Sequence, residues 1–89
     1  MVRVLLYGVL EELAGTPEVS LAGARVLDVL VALSSLYGPA FRDIVLGGGG
    51  SVRTIILVNR APVRYNILET VLQEGDVLSL MPMDDLGDV

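Results

Sequence analysis

The first part of the chain alternates short apolar runs with breaks that contain glycine. Val2–Tyr7 is apolar and β-branched except for Arg3, a pattern that predicts a β-strand. Val9–Ala14 has the composition of a short helical turn that Gly15 closes. Glu18–Leu21 predicts a second short strand. The opening pattern therefore predicts two strands with a short helix between them.

The strongest helical periodicity in the chain covers Val26–Tyr37. The apolar residues that recur there at helical spacing are Val26, Leu30, Leu33 and Tyr37. Gly38 and Pro39 follow at once, and this pair is typical of a helix end. Phe41–Leu46 predicts one further turn, and Gly47–Gly50 predicts a flexible hinge.

A second group of strands is predicted after the hinge. Val52–Val58 is strongly strand-like, and its last four residues are all apolar, which predicts a central strand covered on both faces. Asn59 and Arg60 predict a turn, and Pro62–Tyr65 predicts a short return strand.

The last structured segment predicted is also a strand. Ile67–Leu72 predicts a loop or short helix, and Gly75 with Asp76 predicts a turn. Val77–Met81 then predicts the last strand, which Pro82 ends. The predicted fold is α+β, a sheet of four to five strands with one long helix packed on one face. The opposite face of the sheet then stays open.

Composition favours a single domain with an interaction surface. The chain has 89 residues, of which 53% are hydrophobic and only 19% charged. A domain this small has little interior, so part of its apolar surface is expected to be exposed, and a large exposed apolar patch usually marks a partner site. A core rich in apolar residues is the simpler alternative.

The charge of the chain excludes two classes of partner. The formal net charge is −5, from eleven acidic and six basic residues. Nucleic acids and anionic membranes both require a basic surface, so neither is expected as a partner. Asp84, Asp85 and Asp88 gather near the end of the chain, which predicts a basic surface on any partner that binds there.

The residues available for catalysis are few. The chain has no Cys and no His, and its six basic residues are all Arg, so thiolate, imidazole and lysine Schiff-base chemistry are absent. Glu11 and Glu12 are adjacent on a helix and point in different directions, so they form no catalytic pair. We therefore expect a non-catalytic protein without a metal or a bound cofactor. The apolar runs are too short to span a bilayer and no signal peptide is recognisable, which predicts a cytoplasmic protein.

Several residues are candidates for binding a partner. Leu5, Tyr7 and Met81 are candidates for the open face, and Leu80 is a weaker one. Core packing is the alternative for these residues, because strand register determines the face on which each of them lies. Arg60, near the hairpin turn, is either a contact at the rim of that surface or a solubilising charge. The full predicted set is Leu5, Tyr7, Arg60, Met81, Pro82, Met83 and Leu86.

Four segments together resemble a known family. Val2–Tyr7 followed by Glu12–Gly15 (ELAG), the pair Val58-Asn59, and Leu72–Pro82 (LQEGDVLSLMP) occur in the order and spacing of the MoaD/ThiS sulfur carriers. These carriers are the small subunit of molybdopterin synthase and the thiamine-pathway carrier. The resemblance covers nearly the whole chain, and the ELAG segment favours the MoaD-like group. It implies a ubiquitin-like β-grasp domain over residues 1–82 and a flexible acidic tail over residues 83–89.

The resemblance implies a function that depends on the C-terminus. In this family a Gly-Gly tail carries the terminal carboxylate into an activating enzyme, which adenylates it. A sulfur donor converts the adenylate into a thiocarboxylate, and a larger synthase subunit receives the sulfur. The implied role is that of a sulfur carrier in molybdenum or tungsten cofactor synthesis. The only modification implied is a transient C-terminal adenylate or thiocarboxylate.

The tail differs from the Gly-Gly pattern of the family. The candidate carrier residues are Gly87, Asp88 and Val89, and only Gly87 matches. Trimming of two residues would expose Gly87 as the working end. Alternatively, the chain is a ubiquitin-like interaction module without sulfur transfer, which self-associates or binds other proteins. Activation of Val89 itself by a roomy partner is a third interpretation, which the branched side chain and the charge of Asp88 disfavour.

Overall fold

A five-stranded mixed sheet is the framework of the computed structural model, which describes residues 1–47, 54–63 and 65–82. The strands are β1 (Val2–Leu6), β2 (Glu18–Leu21), β3 (Thr54–Val58), β4 (Ala61–Pro62) and β5 (Val77–Pro82). Their order across the sheet is β2-β1-β5-β3-β4. β1 and β5 are parallel, and the other neighbouring pairs are antiparallel. The predicted α+β class is confirmed.

Three α-helices lie between the strands in the part of the chain that the structure describes. They are α1 (Val9–Ala14), α2 (Val26–Tyr37) and α3 (Pro39–Arg42). A π-helical turn (Asp43–Gly47) follows α3, and a 3-10 turn (Ile67–Glu69) precedes β5. α1 and α2 have the predicted bounds, whereas the single turn predicted over residues 41–46 is two successive helical segments. Within the described ranges, none of the helices is long and apolar enough to cross a membrane.

The core lies between one face of the sheet and the helices. Burial alternates along β1, as expected when one face of a strand is covered, and along β5 except at Ser79, which is also buried. The buried strand residues include Val4, Leu6, Ile56, Leu78 and Leu80, and the buried helical residues include Leu10, Val29, Leu30, Leu33 and Phe41. Leu80, whose position the sequence left undecided, is therefore a core residue.

The position of β3 differs from the prediction. β5 is the central strand, because it is the third of five across the sheet, between β1 and β3. Thr54 and Ile56 of β3 are buried, but Ile55 and Leu57 are only half-buried. The expectation that both faces of this strand are covered is therefore wrong, because its apolar run continues on the face away from the helices.

The return strand after the hairpin is shorter than predicted. It comprises Ala61–Pro62, and Tyr65 lies outside it with 85% of its surface exposed. The Val63 N–H still donates to the Ile56 carbonyl at 3.1 Å, so one hydrogen bond to β3 follows Pro62, and Asn66 then adopts a positive φ of 50°, which is not a strand conformation. Residues 52–53, predicted as the start of β3, lie outside the described residues.

Candidate functional site

The face of the sheet opposite the core, which we call the open face, carries alternate residues of three strands. They are Arg3, Leu5, Ile55, Leu57, Val77, Ser79 and Met81. The register of the sheet aligns Leu5 with Ser79, and Ser79 with Leu57. Ser79 is only 5% exposed because larger side chains flank it on both sides. The central row of the open face therefore runs from Leu5 of β1 across the buried Ser79 to Leu57 of β3.

A shallow cavity of about 470 Å³ covers much of the open face. Its lining residues are Arg3, Leu5, Tyr7, Leu57, Asn59, Arg60, Val77 and Ser79. The lining is thus apolar in the middle, with two arginines and an asparagine beside it. A cavity with this composition is suited to an apolar side chain of a partner protein, with polar contacts around it.

One of the two arginines is held by a carboxylate of the neighbouring strand. Arg3 Nε lies 3.1 Å from Glu18 Oε2, and Arg3 Nη2 lies 2.9 Å from Glu18 Oε1. This pair of hydrogen bonds lowers the pKa of the Glu18 carboxyl below its ordinary value. Both side chains are exposed, so the pair adds little to stability and acts mainly to fix the orientation of Arg3.

A second polar cluster fixes the hairpin turn beside the cavity. Asn59 Nδ2 donates to Asp76 Oδ1 at 3.0 Å, and Asn59 Oδ1 accepts the Val77 N–H at 2.9 Å. The Asp76 carboxylate also accepts the Gln73 N–H at 2.8 Å. These hydrogen bonds lower the pKa of Asp76, and the hydrogen bond from Asn59 has the largest effect. We call this group of four residues the Asn59–Asp76 cluster, and it fastens the turn after β3 to the start of β5.

The end of β5 is the other fixed point of the open face. Pro82 is fully buried and aligned with Thr54, whose hydroxyl donates to the Ile44 carbonyl at 2.9 Å. The Tyr7 N–H donates to the Leu80 carbonyl at 3.2 Å. The point at which the chain leaves the sheet is therefore held from both sides, next to Tyr7 at the margin of the cavity.

The predicted partner residues fall into three groups. Leu5 and Met81 are half-buried on the open face, and Tyr7, one residue beyond β1, is 41% exposed. Arg60 is exposed at the end of the cavity where β5 begins. The side chain of Pro82 faces the core and offers no surface to a partner.

The remaining predicted residues lie outside the described residues. They are Met83, Leu86, Gly87, Asp88 and Val89.

Sequence reasoning missed several residues of the cavity. Leu57, Val77 and Ser79 were not among the candidates, and neither were Arg3 and Asn59. Val77 and Ser79 precede Met81 at intervals of two, so the strand period alone would have found them. Leu57 and Arg3 required the pairing of strands from distant segments, which no local pattern encodes.

Comparison with known proteins identifies the family. The model of the ThiS family matches residues 4–83, which is nearly the whole chain. The chain belongs to the ThiS family. The predicted resemblance to the MoaD/ThiS sulfur carriers is thereby confirmed, and the ubiquitin-like β-grasp fold with it. A comparison with curated proteins finds no match.

Solved structures of the same fold come from archaea and bacteria. Small archaeal modifier protein 1 of Methanosarcina acetivorans is 36% identical over 91% of this chain and 90% of its own, with a TM-score of 0.77. A putative molybdopterin converting factor subunit 1 of Pyrococcus furiosus is 29% identical over 91% and 94%, with a TM-score of 0.70. A chain of the BexX/CysO complex of Amycolatopsis orientalis is 25% identical over 92% and 94%, with a TM-score of 0.77.

Proposed function

We propose that this protein is a non-catalytic sulfur carrier that docks through its open face and presents its C-terminal carboxylate to an activating enzyme. The observation that carries the proposal is the cavity of the open face, whose lining extends from Arg60 near the start of β5 to Tyr7, which donates its N–H to the Leu80 carbonyl near the end of β5. A partner that contacts Tyr7 is therefore close to the end of β5, after which the tail begins. Membership in the ThiS family supports the same assignment.

The length of the tail suits a reaction inside the partner. Seven residues follow Pro82, and a fully extended chain spans at most about 3.3–3.6 Å per residue. The tail can therefore reach up to about 25 Å from the sheet. This is far enough for its carboxylate to enter a buried site while the domain stays on the surface of the enzyme.

The chemistry in this proposal belongs to the partners. The carboxylate of the carrier attacks the α-phosphorus of ATP in the activating enzyme, which forms the acyl adenylate and releases pyrophosphate. A sulfide-equivalent nucleophile then displaces AMP and leaves a thiocarboxylate. The carrier contributes the docking surface and the tail, and it needs no nucleophile or metal of its own.

For the pathway, we propose molybdenum or tungsten cofactor synthesis, with a larger synthase subunit as the second partner. The likeness to the putative molybdopterin converting factor subunit of Pyrococcus furiosus supports this choice. The likeness to small archaeal modifier protein 1 supports the more general role of a ubiquitin-like modifier. The BexX/CysO complex is a precedent for a related chain bound to a different protein.

The intact mass of the protein isolated from its native host tests the carrier role. A chain that ends at Gly87, or one in which sulfur replaces a terminal oxygen, supports a processed or charged carrier. Incubation with the activating enzyme and ATP should form an adenylate, which ATP–pyrophosphate exchange detects. A chain that keeps an unmodified Val89 and supports no exchange would contradict the carrier role.

A second candidate function is a ubiquitin-like interaction module without sulfur transfer. The residues after Gly87 favour it, because the charge of Asp88 repels an anionic nucleotide near the carboxylate. In that case light scattering should detect self-association, or a native pull-down should recover a stable partner, although pyrophosphate exchange stays absent. A strict monomer that supports exchange would exclude this alternative.

The use of the open face can be tested separately with a matched pair of variants. Leu5→Ser removes an apolar side chain from the cavity, and Val31→Ser removes one from the exposed side of α2. We expect Leu5→Ser to raise the KM for the carrier in the exchange reaction by about tenfold or more, whereas Val31→Ser leaves it unchanged. Equal values for the two variants would show that the enzyme does not use the open face.

A further inference from the structure

The hairpin between β3 and β4 places an arginine where glycine is normally preferred. Val58 pairs with Ala61, so Asn59 and Arg60 form a two-residue turn. Both residues have positive φ, 51° for Asn59 and 72° for Arg60. Turns of this kind favour Asn followed by Gly, because a Cβ is unfavourable in the left-handed region. Asn59 fits this preference, but the fold gives no reason for an arginine at position 60.

The surrounding structure is able to maintain this unfavourable conformation. The Asn59–Asp76 cluster binds the turn to the start of β5 through side-chain hydrogen bonds, and the Asn59 N–H also donates to the Val77 carbonyl at 2.8 Å. Strained residues persist when neighbouring contacts determine their conformation, and they are common at functional sites. The contacts of Asn59 therefore fix the backbone of the turn, and the side chain of Arg60 is not needed to maintain it.

The charge of Arg60 is uncommitted, unlike that of the other arginine at the cavity. Arg3 is bound by both oxygens of Glu18, and Asp76 is occupied by Asn59 and Gln73. Among residues 1–47, 54–63 and 65–82, the ion pairs do not include Arg60. Its side chain is exposed and lines the cavity. Among the described residues of the cavity, Arg60 is thus the arginine without an ion pair, and its positive φ is one that a residue with a side chain rarely adopts.

We infer that Arg60 is a specificity-determining contact of the open face, which binds a carboxylate on the activating enzyme. The inference rests on the proposed function and adds the chemistry of the partner surface: an apolar centre with an acidic side chain at one end. A guanidinium can bind a carboxylate through two parallel hydrogen bonds. The guanidinium of Arg60 is exposed to solvent and is therefore available for this contact.

The location of Arg60 gives this contact an orienting role. Arg60 lies at the start of β5 and the tail begins at its end, a separation of about 20 Å for a six-residue strand. A contact at Arg60 and insertion of the tail fix the two ends of β5 against the enzyme. Because contacts with the apolar middle of the cavity are non-directional, the charged contact sets the direction in which the carrier docks.

The substitution Arg60→Gly separates a binding role from a structural one, because the two predict opposite effects. We expect the melting temperature to rise by roughly 2–5 °C, since glycine relieves the unfavourable backbone conformation. We expect the KM for the carrier in ATP–pyrophosphate exchange to rise by about tenfold with kcat unchanged, and to depend less steeply on salt. Arg60→Lys should recover part of the KM without the gain in stability.

Arg42→Ala is the matched control, because Arg42 is an exposed arginine of α3 outside the cavity. A wild-type KM for Arg60→Gly together with a raised KM for Leu5→Ser would overturn this inference and leave the proposed function intact. A melting temperature that does not rise would also count against it, because the argument from strain would fail. An enzyme that neither binds nor adenylates the wild-type chain would overturn both proposals.

Discussion

Single residues of this domain hold its turns through side-chain hydrogen bonds to the backbone. Asn59 satisfies the Val77 N–H while its amide is held by Asp76, whose other oxygen accepts the Gln73 N–H. These contacts favour the charged form of Asp76, since a carboxylate that accepts several hydrogen bonds loses them on protonation. The stability contributed by Asp76 should therefore depend on pH.

The direction of this dependence follows from the lowered pKa of Asp76. Its ordinary value is 3.8, and the folded value is lower, so the contribution is present above the ordinary value and is lost as pH falls through the folded one. We expect the loss of this contribution to leave the urea midpoint nearly unchanged between pH about 7 and about 4.5, and to lower it between pH about 4.5 and about 2.5. Asp76→Asn should lower the midpoint at neutral pH and flatten the acid limb.

Glu12→Gln is the control, because Glu12 lies on the exposed surface of α1, away from the Asn59–Asp76 cluster. We expect its acid limb to match that of the wild type. An Asp76→Asn variant with an unchanged acid limb would show that the hydrogen bonds of Asp76 do not distinguish its two protonation states.

At the scale of elements, the junction of α2 and α3 depends on one backbone conformation. Gly38 has a φ of 95° and donates its N–H to the Ser34 carbonyl at 2.9 Å, which ends α2. Pro39 then begins α3, where its missing N–H has no consequence. The junction brings Phe41 into the core against Tyr37, with ring centroids 5.4 Å apart.

Gly38→Ala should therefore destabilise the domain through the backbone alone. A Cβ at this position meets no atom within 4 Å, so steric contact contributes nothing. The positive φ should cost about 1–2 kcal/mol in the free energy of unfolding, measured by urea denaturation. Ser35→Ala, at an exposed position of the same helix, should stay within about 0.5 kcal/mol of the wild type. Equal stabilities for the two variants would refute this account of the junction.

For the whole molecule, the sheet separates a core that maintains the fold from a face that is available for binding. Its helices all pack on one side, and the half-buried residues Leu5, Ile55, Leu57 and Met81 lie on the other. A partner can therefore bind to the open face and dissociate from it without disturbing the core. This separation supports the proposed role of a carrier that binds an activating enzyme and then a synthase subunit.

Two substitutions of the same kind test this separation. Leu80→Ala removes a fully buried side chain from the central strand and should lower the free energy of unfolding by about 2–5 kcal/mol. Leu5→Ala removes a half-buried side chain from the open face and should cost about 1 kcal/mol. Urea denaturation at neutral pH measures both. A loss from Leu5→Ala as large as that from Leu80→Ala would place Leu5 in the core.

Much of the fold could be predicted from local patterns. The bounds of α1 and α2 follow from helical spacing and from the glycines that end them, and the alternation of apolar residues predicts β1, β2 and β5 closely. Prediction was poorer for β3 and β4, because an apolar run does not reveal which of its faces is covered. The tail residues Gly87, Asp88 and Val89 remain predictions.

By itself, the sequence determined the type and extent of most elements, the family, and the shortage of catalytic groups. Only the tertiary structure decided that β5 is central, that Leu80 faces the core, and that Arg3 and Arg60 border one cavity. The reason is physical. Helical and strand periods are properties of neighbouring residues, whereas the order and register of strands depend on contacts between opposite ends of the chain.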